Sequence, residues 1–152
     1  MSSKYILAIE TSSSICGAAV IHNNEVLSIE EKDVRRKHAE LLPGLTKASL
    51  SNIKITLDDI DAIAISIGPG SFTGLRIGLG FSKGIAYAKD LPIIPVPSML
   101  SLAYSLREYE PKQGILHSHA NKVFFQTFRW ENNIPLPNKE PRVGEIDDYF
   151  QV

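Results

Sequence analysis

The pattern of apolar and polar residues predicts several strands near the start of the chain. KYILAIE, residues 4–10, is apolar on both faces, which is typical of a central strand. Residues 15–31 predict two strands joined at Asn23 and Asn24, because asparagine tolerates the positive φ angles of a tight hairpin. A fourth strand is predicted at residues 61–67, with isoleucines on one face and small residues on the other.

Two helices are predicted on either side of the fourth strand in the chain. The first runs from about Glu40 to Leu50, with Pro43 in its first turn, and it has one apolar face for packing on a sheet. The second runs from about Phe72 to Ala88. Its apolar and small residues cover roughly 220° of the helix, against the roughly 100° that one core face requires. The second helix therefore has apolar surface that a single sheet does not account for.

The remaining pattern predicts a strand at residues 92–96, a helix from Ser98 to Arg107, and two strands in QGILHSH and KVFFQTFRW. A tail rich in proline and asparagine follows. The element order is therefore βββαβαβα and then ββ, which predicts a mixed sheet with helices on its faces. This is the ribonuclease-H-like lobe that nucleases and actin-like ATPases share. We expect residues 1–108 to form this actin-like N-terminal lobe and residues 109–152 to begin a truncated second lobe.

Composition narrows the functional classes. The chain has 152 residues, 43% of them hydrophobic and 22% charged, which suits one domain or one lobe of a larger protein. The chain has a net charge of −1, whereas nucleic-acid-binding proteins typically carry an excess of positive charge. The single cysteine, Cys16, cannot form an internal disulfide, which favours a reducing, cytoplasmic location. No long apolar run and no signal-peptide pattern are present, so no membrane contact is predicted.

The stretch at residues 66–88 contains a glycine-rich loop that follows the fourth strand and leads into the second helix, as phosphate-binding loops do. The loop fits neither the P-loop motif nor the dinucleotide-binding fingerprint. Five residues separate Gly68 from Gly74 where the P-loop has four, and Thr73 stands where the dinucleotide fingerprint has its third glycine. The nuclease interpretation also fails, because the fourth strand ends without the carboxylate that would complete a metal site. We therefore predict no catalytic residue, no cofactor and no metal.

The second predicted helix contains Gly74, Gly78, Gly80 and Gly84, each of which costs about 1 kcal/mol relative to alanine in a helix interior. Two explanations remain open at this point. The first is close packing of the helix on the small face of the fourth strand. That face consists of Ala62, Ala64 and Ser66. The second is contact with another protein chain, since small residues bring two backbones together.

Three longer motifs stand out between residues 4 and 110. They are ILAIETSS near the start, HAELLP in the first helix, and GPGSFTGLRIGL at the second. In these motifs, their order and their spacing, the chain resembles the TsaB (YeaZ) family, glycoprotease-like proteins of bacterial tRNA modification. The resemblance implies an actin-like fold and a non-catalytic subunit beside a TsaD-like catalytic subunit and a TsaE-like ATPase. That complex moves threonylcarbamoyl from an adenylate to an adenosine beside the tRNA anticodon, so tRNA is contacted only through the complex.

The resemblance also implies which residues carry the function. In the family, the first two helices form the interface with the partner or with a second copy. The implied interface residues of this chain are Leu41, Leu42, Leu45, Phe72, Gly74, Ile77, Gly78, Phe81 and Ile85. The actin-like phosphate loop corresponds to Glu10, Thr11, Ser12 and Ser13, which we interpret as a vestigial turn.

Two other functions are kept as alternatives. One is a small actin-like ATPase or a glycoprotease, as the family's older label suggests. The other is a homodimeric structural protein with no role in tRNA modification. Family members usually continue beyond residue 152, so we expect the chain to be a fragment or a truncated member.

Overall fold

The computed structural model describes residues 4–149, which form two compact units. The first unit contains the described residues up to Ile67 together with Ser71–Val96. The second contains Gly68–Gly70 and the described residues from Pro97 onward. The lobe boundary expected further along the chain, after residue 108, stays a prediction.

The first unit is a five-stranded sheet with two helices. Its strands are β1 (Tyr5–Glu10), β2 (Ile15–His22), β3 (Glu25–Asp33), β4 (Ala62–Ser66) and β5 (Ile93–Val96). Its helices are α1 (His38–Asn52) and α2 (Phe72–Lys89). The strand order is β3-β2-β1-β4-β5; β2 pairs antiparallel with β1 and β3, while β4 pairs parallel with β1 and β5. The predicted mixed sheet is confirmed.

The predicted hairpin between β2 and β3 is also present. Asn23 and Asn24 both have positive φ angles, of 49° and 68°. Two such angles give the turn a twist that matches the right-handed twist of the strands it joins. Asparagine adopts this backbone region because its short side chain forms local hydrogen bonds.

Alternation along β1 and β4 builds the core of the first unit. The parallel register places Leu7 beside Ile63 and Ile9 beside Ile65, and all four side chains are buried. They form one cluster with apolar side chains of α1 and α2. Burying an aliphatic side chain of this size contributes about 1.5–3 kcal/mol. This cluster therefore holds both helices on the sheet.

Helix α1 begins at His38, two residues before the predicted start. Lys37 precedes it without a capping side-chain hydrogen bond. The His38 ring is buried instead, with its Nε2 atom 3.0 Å from the carbonyl oxygen of Ser13. Pro43 consequently lies in the second turn rather than the first. The helix thus begins two residues before the predicted position, and its first residue contacts a turn that is distant in the sequence.

The second unit combines one helix with four strands. They are α3 (Ser98–Ser105), β6 (Gln113–His119), β7 (Lys122–Glu131), β8 (Ile134–Pro137) and β9 (Arg142–Glu145). Strand β7 pairs antiparallel with β6, β8 and β9. Met99 and Ala103 of α3 and Phe128 of β7 form the buried centre of this unit. Helix α3 ends two residues before the predicted Arg107, which begins a short 3₁₀ turn.

Strands β8 and β9 lie in the segment that the sequence analysis described as a tail rich in proline and asparagine. Asn132 and Asn133 join β7 to β8 and have positive φ angles of 52° and 60°. This turn repeats the Asn-Asn chemistry of the turn between β2 and β3. The signal for this hairpin was therefore available in the sequence.

Candidate partner-binding face

The polar turn after β1 is held by hydrogen bonds within the chain. The Ser12 N–H donates to the Glu10 carboxylate at 2.5 Å, and the Ser66 hydroxyl donates to the other oxygen of that carboxylate. The Ser13 hydroxyl oxygen accepts from the Ile15 N–H at 3.1 Å. The structure thus brings the predicted turn residues together at the ends of β1 and β4. Their hydrogen bonds tie these two strand ends to each other.

Thr11 of the same turn lies directly against α2. Thr11 is fully buried, and the Ser71 N–H at the start of α2 donates to the Ser12 carbonyl oxygen at 2.7 Å. A Cβ atom at Gly74 would overlap the carbonyl oxygen of Thr11, and one at Gly78 would overlap its Oγ1 atom. Only glycine leaves room for the helix to lie this close to the turn.

The face of β4 that α2 covers differs from the expected one. A Cβ atom at Gly78 would lie 3.1 Å from the Cδ1 atom of Ile65. Side chains alternate along a strand, so Ile65 points away from the side of Ala62, Ala64 and Ser66. Of the two explanations left open for the glycines, packing on that small face is therefore wrong for Gly78. The close approach of Gly74 and Gly78 is to Thr11 in the turn after β1, while Ile65 of β4 lies beneath the helix.

At three other glycines, no neighbouring atom of the chain requires the absence of a side chain. They are Gly80 and Gly84 of α2 and Gly44 of α1, and all three are exposed. A Cβ atom added at any of them would meet nothing within 4 Å beyond its own stretch of helix. An alanine there would stabilise the helix by about 1 kcal/mol relative to glycine. Packing within the described part of the chain does not explain why glycine stands at these positions.

The exposed side of α2 lies opposite its buried residues. Every fourth residue from Gly74 to Ala86 is buried. The opposite side, which we call the outward face, consists of Phe72, Arg76, Gly80, Lys83, Gly84 and Tyr87. Phe72 and Tyr87 are 73% and 94% exposed, and the Arg76 guanidinium carbon lies 5.5 Å from the centre of the Phe72 ring. The outward face therefore combines two aromatic rings, two cations and uncovered backbone.

Two side chains of the first unit have shifted pKa values. A hydrogen bond of 2.8 Å from the Tyr5 N–H lowers the pKa of the Asp61 carboxyl, and the Lys4 ammonium 3.3 Å away lowers it further. Burial raises the pKa of the Cys16 thiol, which donates to the His38 carbonyl oxygen at 3.9 Å. Neither group belongs to the outward face.

Two further observations concern residues 4–149 as a whole. No three His, Cys, Asp or Glu side chains within this range are grouped closely enough to hold a metal ion. None of the helices formed by these residues has the length and apolar character needed to cross a bilayer.

Comparisons with known proteins identify the family. The family model for TsaD, tRNA N6-adenosine threonylcarbamoyltransferase, matches residues 14–121. The tRNA threonylcarbamoyladenosine biosynthesis protein TsaB of Buchnera aphidicola subsp. Schizaphis graminum is 37% identical over 153 residues, covering 96% of this chain and 72% of that protein. The chain belongs to the TsaB (YeaZ) family.

Two further members of the TsaB family are similar to the chain. TsaB of Haemophilus influenzae is 33% identical over 123 residues, covering 79% of this chain and 52% of that protein. The chain thus spans about half the length of this relative. The solved structure of YeaZ from Pseudomonas aeruginosa superposes with a TM-score of 0.83 at 26% identity, covering 92% of this chain and 67% of that one. The actin-like, ribonuclease-H-like fold is confirmed.

The interface residues implied by the TsaB family fall into three groups. Those buried by the chain itself are Leu42, Leu45, Gly74 and Gly78. Those half-buried against its core are Leu41, Ile77, Phe81 and Ile85. Phe72 alone among the nine is exposed. The four buried residues offer no free surface, because α1 and α2 turn that side toward the sheet; contact of the other five with a partner stays a prediction.

The wide apolar arc of α2 is largely covered by the chain itself. Ile77, Phe81 and Ile85 pack at the edge of the core, which leaves the outward face as the free side. Most residues of the outward face are not apolar, so the apolar periodicity of the helix did not predict them as interface residues. The signal that marks it was the polar stripe of Arg76 and Lys83 on the helical wheel.

Proposed function

We propose that this TsaB-family chain is a non-catalytic subunit of the assembly that forms threonylcarbamoyladenosine on tRNA. In this proposal it binds a TsaD-like catalytic subunit through the outward face of α2 and the adjoining surface of α1. A TsaE-like ATPase joins the assembly, tRNA is contacted through the complex, and the complex works in the cytoplasm. The homologues named TsaB support the pathway, and the features of α2 support the mode of binding.

The observation that carries the proposal is the uncovered backbone at Gly80 and Gly84. A partner helix can approach the α2 backbone closely there, which increases the number of dispersion contacts. Phe72 and Tyr87 lie at the two ends of this stretch with their rings exposed. Aromatic side chains are enriched at protein interfaces because each buries a large area at low conformational cost. The face therefore has the composition of a contact surface.

The turn after β1 supports the non-catalytic part of the proposal. The Glu10 carboxylate is engaged by donors from Ser12 and Ser66 of its own chain. Each oxygen accepts one hydrogen bond, which gives the carboxylate a structural role in joining the ends of β1 and β4. In this arrangement both oxygens stabilise the fold.

The experiment that tests the function is a reconstitution. The chain is mixed with the TsaD-like subunit of its own organism, tRNA and the threonylcarbamoyl adenylate, and formation of the modified nucleoside is followed by mass spectrometry. We expect the chain to be inactive alone and to raise the rate of the TsaD-like subunit. A rate equal to that of the TsaD-like subunit by itself contradicts the proposal.

The substitution Gly80→Leu tests the surface. Its side chain would enter open space in the isolated chain, and leucine favours helix more than glycine, so folding stability is expected to hold or rise. At a close helix contact the same side chain separates the backbones, and we expect the affinity for the TsaD-like subunit to fall at least tenfold, or about 1.4 kcal/mol. Calorimetry measures the affinity.

Ser101→Leu is the matched control for Gly80→Leu. It also adds an exposed leucine to a helix, but on α3, outside the proposed surface. Its affinity is expected to equal that of the wild type. Equal binding of wild type and Gly80→Leu would show that the partner docks elsewhere.

A further inference from the structure

Strand β3 lies at one end of the five-stranded sheet and pairs with β2 alone among the described strands. It is nine residues long, from Glu25 to Asp33. An edge strand turns every second backbone N–H and C=O group away from its neighbour. Among residues 4–149, no backbone hydrogen bond joins β3 to a segment other than β2. The outward backbone groups of β3 are therefore able to pair with a further strand.

The two edges of this sheet differ in the ladder that they provide. Strand β5 at the opposite edge has four residues, and one of them is Pro95, which has no N–H to donate. The register of β3 on β2 shifts between Val20 and Ile21, which leaves Leu27 as an extra, bulged residue of β3. Pairing is regular from Ser28 to Asp33. These six residues, which we call the β3 edge, form the longest regular stretch at either edge of the sheet.

The side chains of the β3 edge alternate between the two faces of the sheet. Glu30 lies on the face that carries α1, where its carboxylate accepts a hydrogen bond of 2.8 Å from the Nδ2 atom of Asn52. The opposite face presents Ile29, Glu31 and Asp33, all three exposed. The Ile29 side chain is 59% exposed. Along this face the β3 edge therefore offers one apolar position followed by two acidic ones.

Strand β3 carries an excess of negative charge. It contains four acidic residues and one lysine. Within residues 4–149, none of these acidic side chains forms an ion pair. The basic run that follows, Arg35–Lys37, begins beyond the end of the strand. Opposite charges on directly facing residues of two strands stabilise the pair, so a strand with cations opposite Glu31 and Asp33 matches this edge.

A second copy of this chain is a poor occupant of the β3 edge. In a two-fold antiparallel pair, the residue at the centre faces its own duplicate. A pair centred on Glu30 or Glu31 therefore places two carboxylates directly opposite each other, which is destabilising. A pair centred on Ile29 extends through Leu27, where the bulge interrupts the ladder. Both the charges and the bulge oppose pairing of β3 with itself.

We propose that the β3 edge binds an extended segment of another protein, which joins the sheet as an antiparallel strand beside β3. The segment has an apolar side chain opposite Ile29 and basic side chains opposite Glu31 and Asp33. Backbone hydrogen bonds supply the pairing, and the facing side chains select the sequence. Nucleic acid does not fit this edge, because the carboxylates repel phosphate. The inference is independent of the proposed function, since β3 lies outside the outward face of α2.

Three synthetic peptides probe the β3 edge. The first is Thr-Lys-Thr-Lys-Thr-Val-Thr, which in the antiparallel direction places valine opposite Ile29 and the lysines opposite the two carboxylates. The second has glutamate in place of both lysines. The third repeats the first with N-methyl groups on the backbone nitrogens that would donate to β3. We expect the second and third to bind at least about tenfold more weakly than the first.

Titration of the ¹⁵N-labelled chain, followed by NMR, measures both affinity and location. The amide signals of Ser28–Asp33 are expected to move when the first peptide is added, while those of Ile93–Val96 at the opposite edge stay in place. Because all three peptides are compared on the wild-type chain, this part of the test does not depend on the folding of any variant.

Two double charge reversals extend the test to the chain itself. Glu31→Lys with Asp33→Lys reverses the charge of the β3 edge, while Glu108→Lys with Glu110→Lys makes the same change at exposed positions outside the first unit. We expect the first variant to bind the lysine peptide at least about tenfold more weakly and to prefer the glutamate peptide. The control is expected to stay within about twofold of the wild type. Thermal unfolding checks that both variants are folded.

Each contrary result overturns the proposal. If no peptide binds, or if the lysine and glutamate peptides bind equally, the edge does not select a basic strand. Undiminished binding of the N-methylated peptide means that backbone pairing is not the mode of contact, and signal changes elsewhere mean that the location is wrong. Self-association of the wild type that the reversal at Glu31 and Asp33 abolishes points to a second copy. Movement of the Ser28–Asp33 signals on addition of a short RNA points to nucleic acid. The reconstitution with the TsaD-like subunit is unaffected by any of these outcomes.

Discussion

Thr11 lies against the first turns of α2, where Gly74 and Gly78 face its carbonyl and hydroxyl oxygens. Two residues further along the helix, Gly80 faces outward with open space around it. The same residue type thus occurs in one helix for two different reasons. Steric exclusion within the fold explains Gly78, whereas a proposed contact with a partner explains Gly80.

Alanine at these two positions is expected to change stability in opposite directions. Gly78→Ala places a methyl group against the stiff, β-branched Thr11 and close to Ile65, so we expect a loss of about 1–3 kcal/mol in the free energy of unfolding. Gly80→Ala meets no neighbour and removes the conformational cost of glycine, so we expect a gain of about 1 kcal/mol. Urea denaturation measures both. Effects of the same sign would contradict the distinction between inner and outer glycines.

Asp61 connects the start of β1 to the residue before β4. Its carboxylate accepts from the Tyr5 N–H at 2.8 Å, while its own N–H donates to the Tyr5 carbonyl oxygen at 2.9 Å. The first of these bonds lowers the pKa of the carboxyl in the folded chain. The charge therefore stabilises the fold above the ordinary carboxyl pKa of about 4, and this stabilisation is lost as pH falls through the lowered value.

Asp61→Asn is expected to remove this pH dependence. The variant keeps the size of the side chain and an acceptor oxygen but loses the charge. The difference in unfolding free energy between wild type and variant should be largest near neutral pH and should shrink as pH falls below about 4. Denaturant unfolding at several pH values measures the difference. A gap of constant size across this range would mean that the charge does not contribute.

At the scale of the element, the residue that follows α2 lowers the stability of the C-terminal end of the helix. Asp90 follows the last helical residue with a left-handed φ of 53°, and its N–H donates to the Ala86 carbonyl oxygen. A side chain in this backbone region costs about 1 kcal/mol relative to glycine. The negative charge also lies at the negative end of the helix dipole. Both effects oppose the native conformation at this residue.

Asp90→Gly is expected to raise the free energy of unfolding by about 1–2 kcal/mol, since it removes the backbone strain and the unfavourable charge. Asp90→Asn serves as the control because it removes the charge and retains a side chain that tolerates positive φ. Its gain should be smaller, about 0.3–1 kcal/mol. Thermal and urea unfolding report both values. A loss of stability in Asp90→Gly would contradict the assignment of strain to this position.

The elements that could be predicted from the sequence are those whose signals are local. A continuous apolar run is sufficient for β1, the alternation of isoleucines with small residues is sufficient for β4, and an Asn-Asn pair marks the turn between β2 and β3. Helix α1 begins two residues before the predicted position, at His38, whose ring contacts the carbonyl oxygen of Ser13, twenty-five positions away in the sequence. Strand β8 was missed although Asn132 and Asn133 repeat the earlier turn signal. Two prolines in that strand weigh against a strand assignment, since proline cannot donate to the ladder.

At the scale of the whole molecule, α2 presents two sides with different roles. Its inner side is fitted to Thr11 and Ile65, which determines how the helix lies on the sheet. Its outward face carries the positive charge that the net charge of −1 for the chain conceals. A surface excess of this kind depends on which side of a helix is exposed, so composition does not reveal it. The proposed partner-binding surface is therefore a property of the folded molecule.

The amino-acid sequence by itself determined the order of the helices and strands as far as β7, the mixed sheet and the membership of the TsaB family. These features depend on short-range periodicity and on motifs that are continuous in the chain. Only the tertiary structure decided which glycines of α2 are enclosed and which face outward, and that Leu42 and Leu45 belong to the core. The physical reason is that pairing of β1 with β4 brings Thr11 and Ile65 beneath α2, and steric contacts between such distant residues are not encoded in the local pattern.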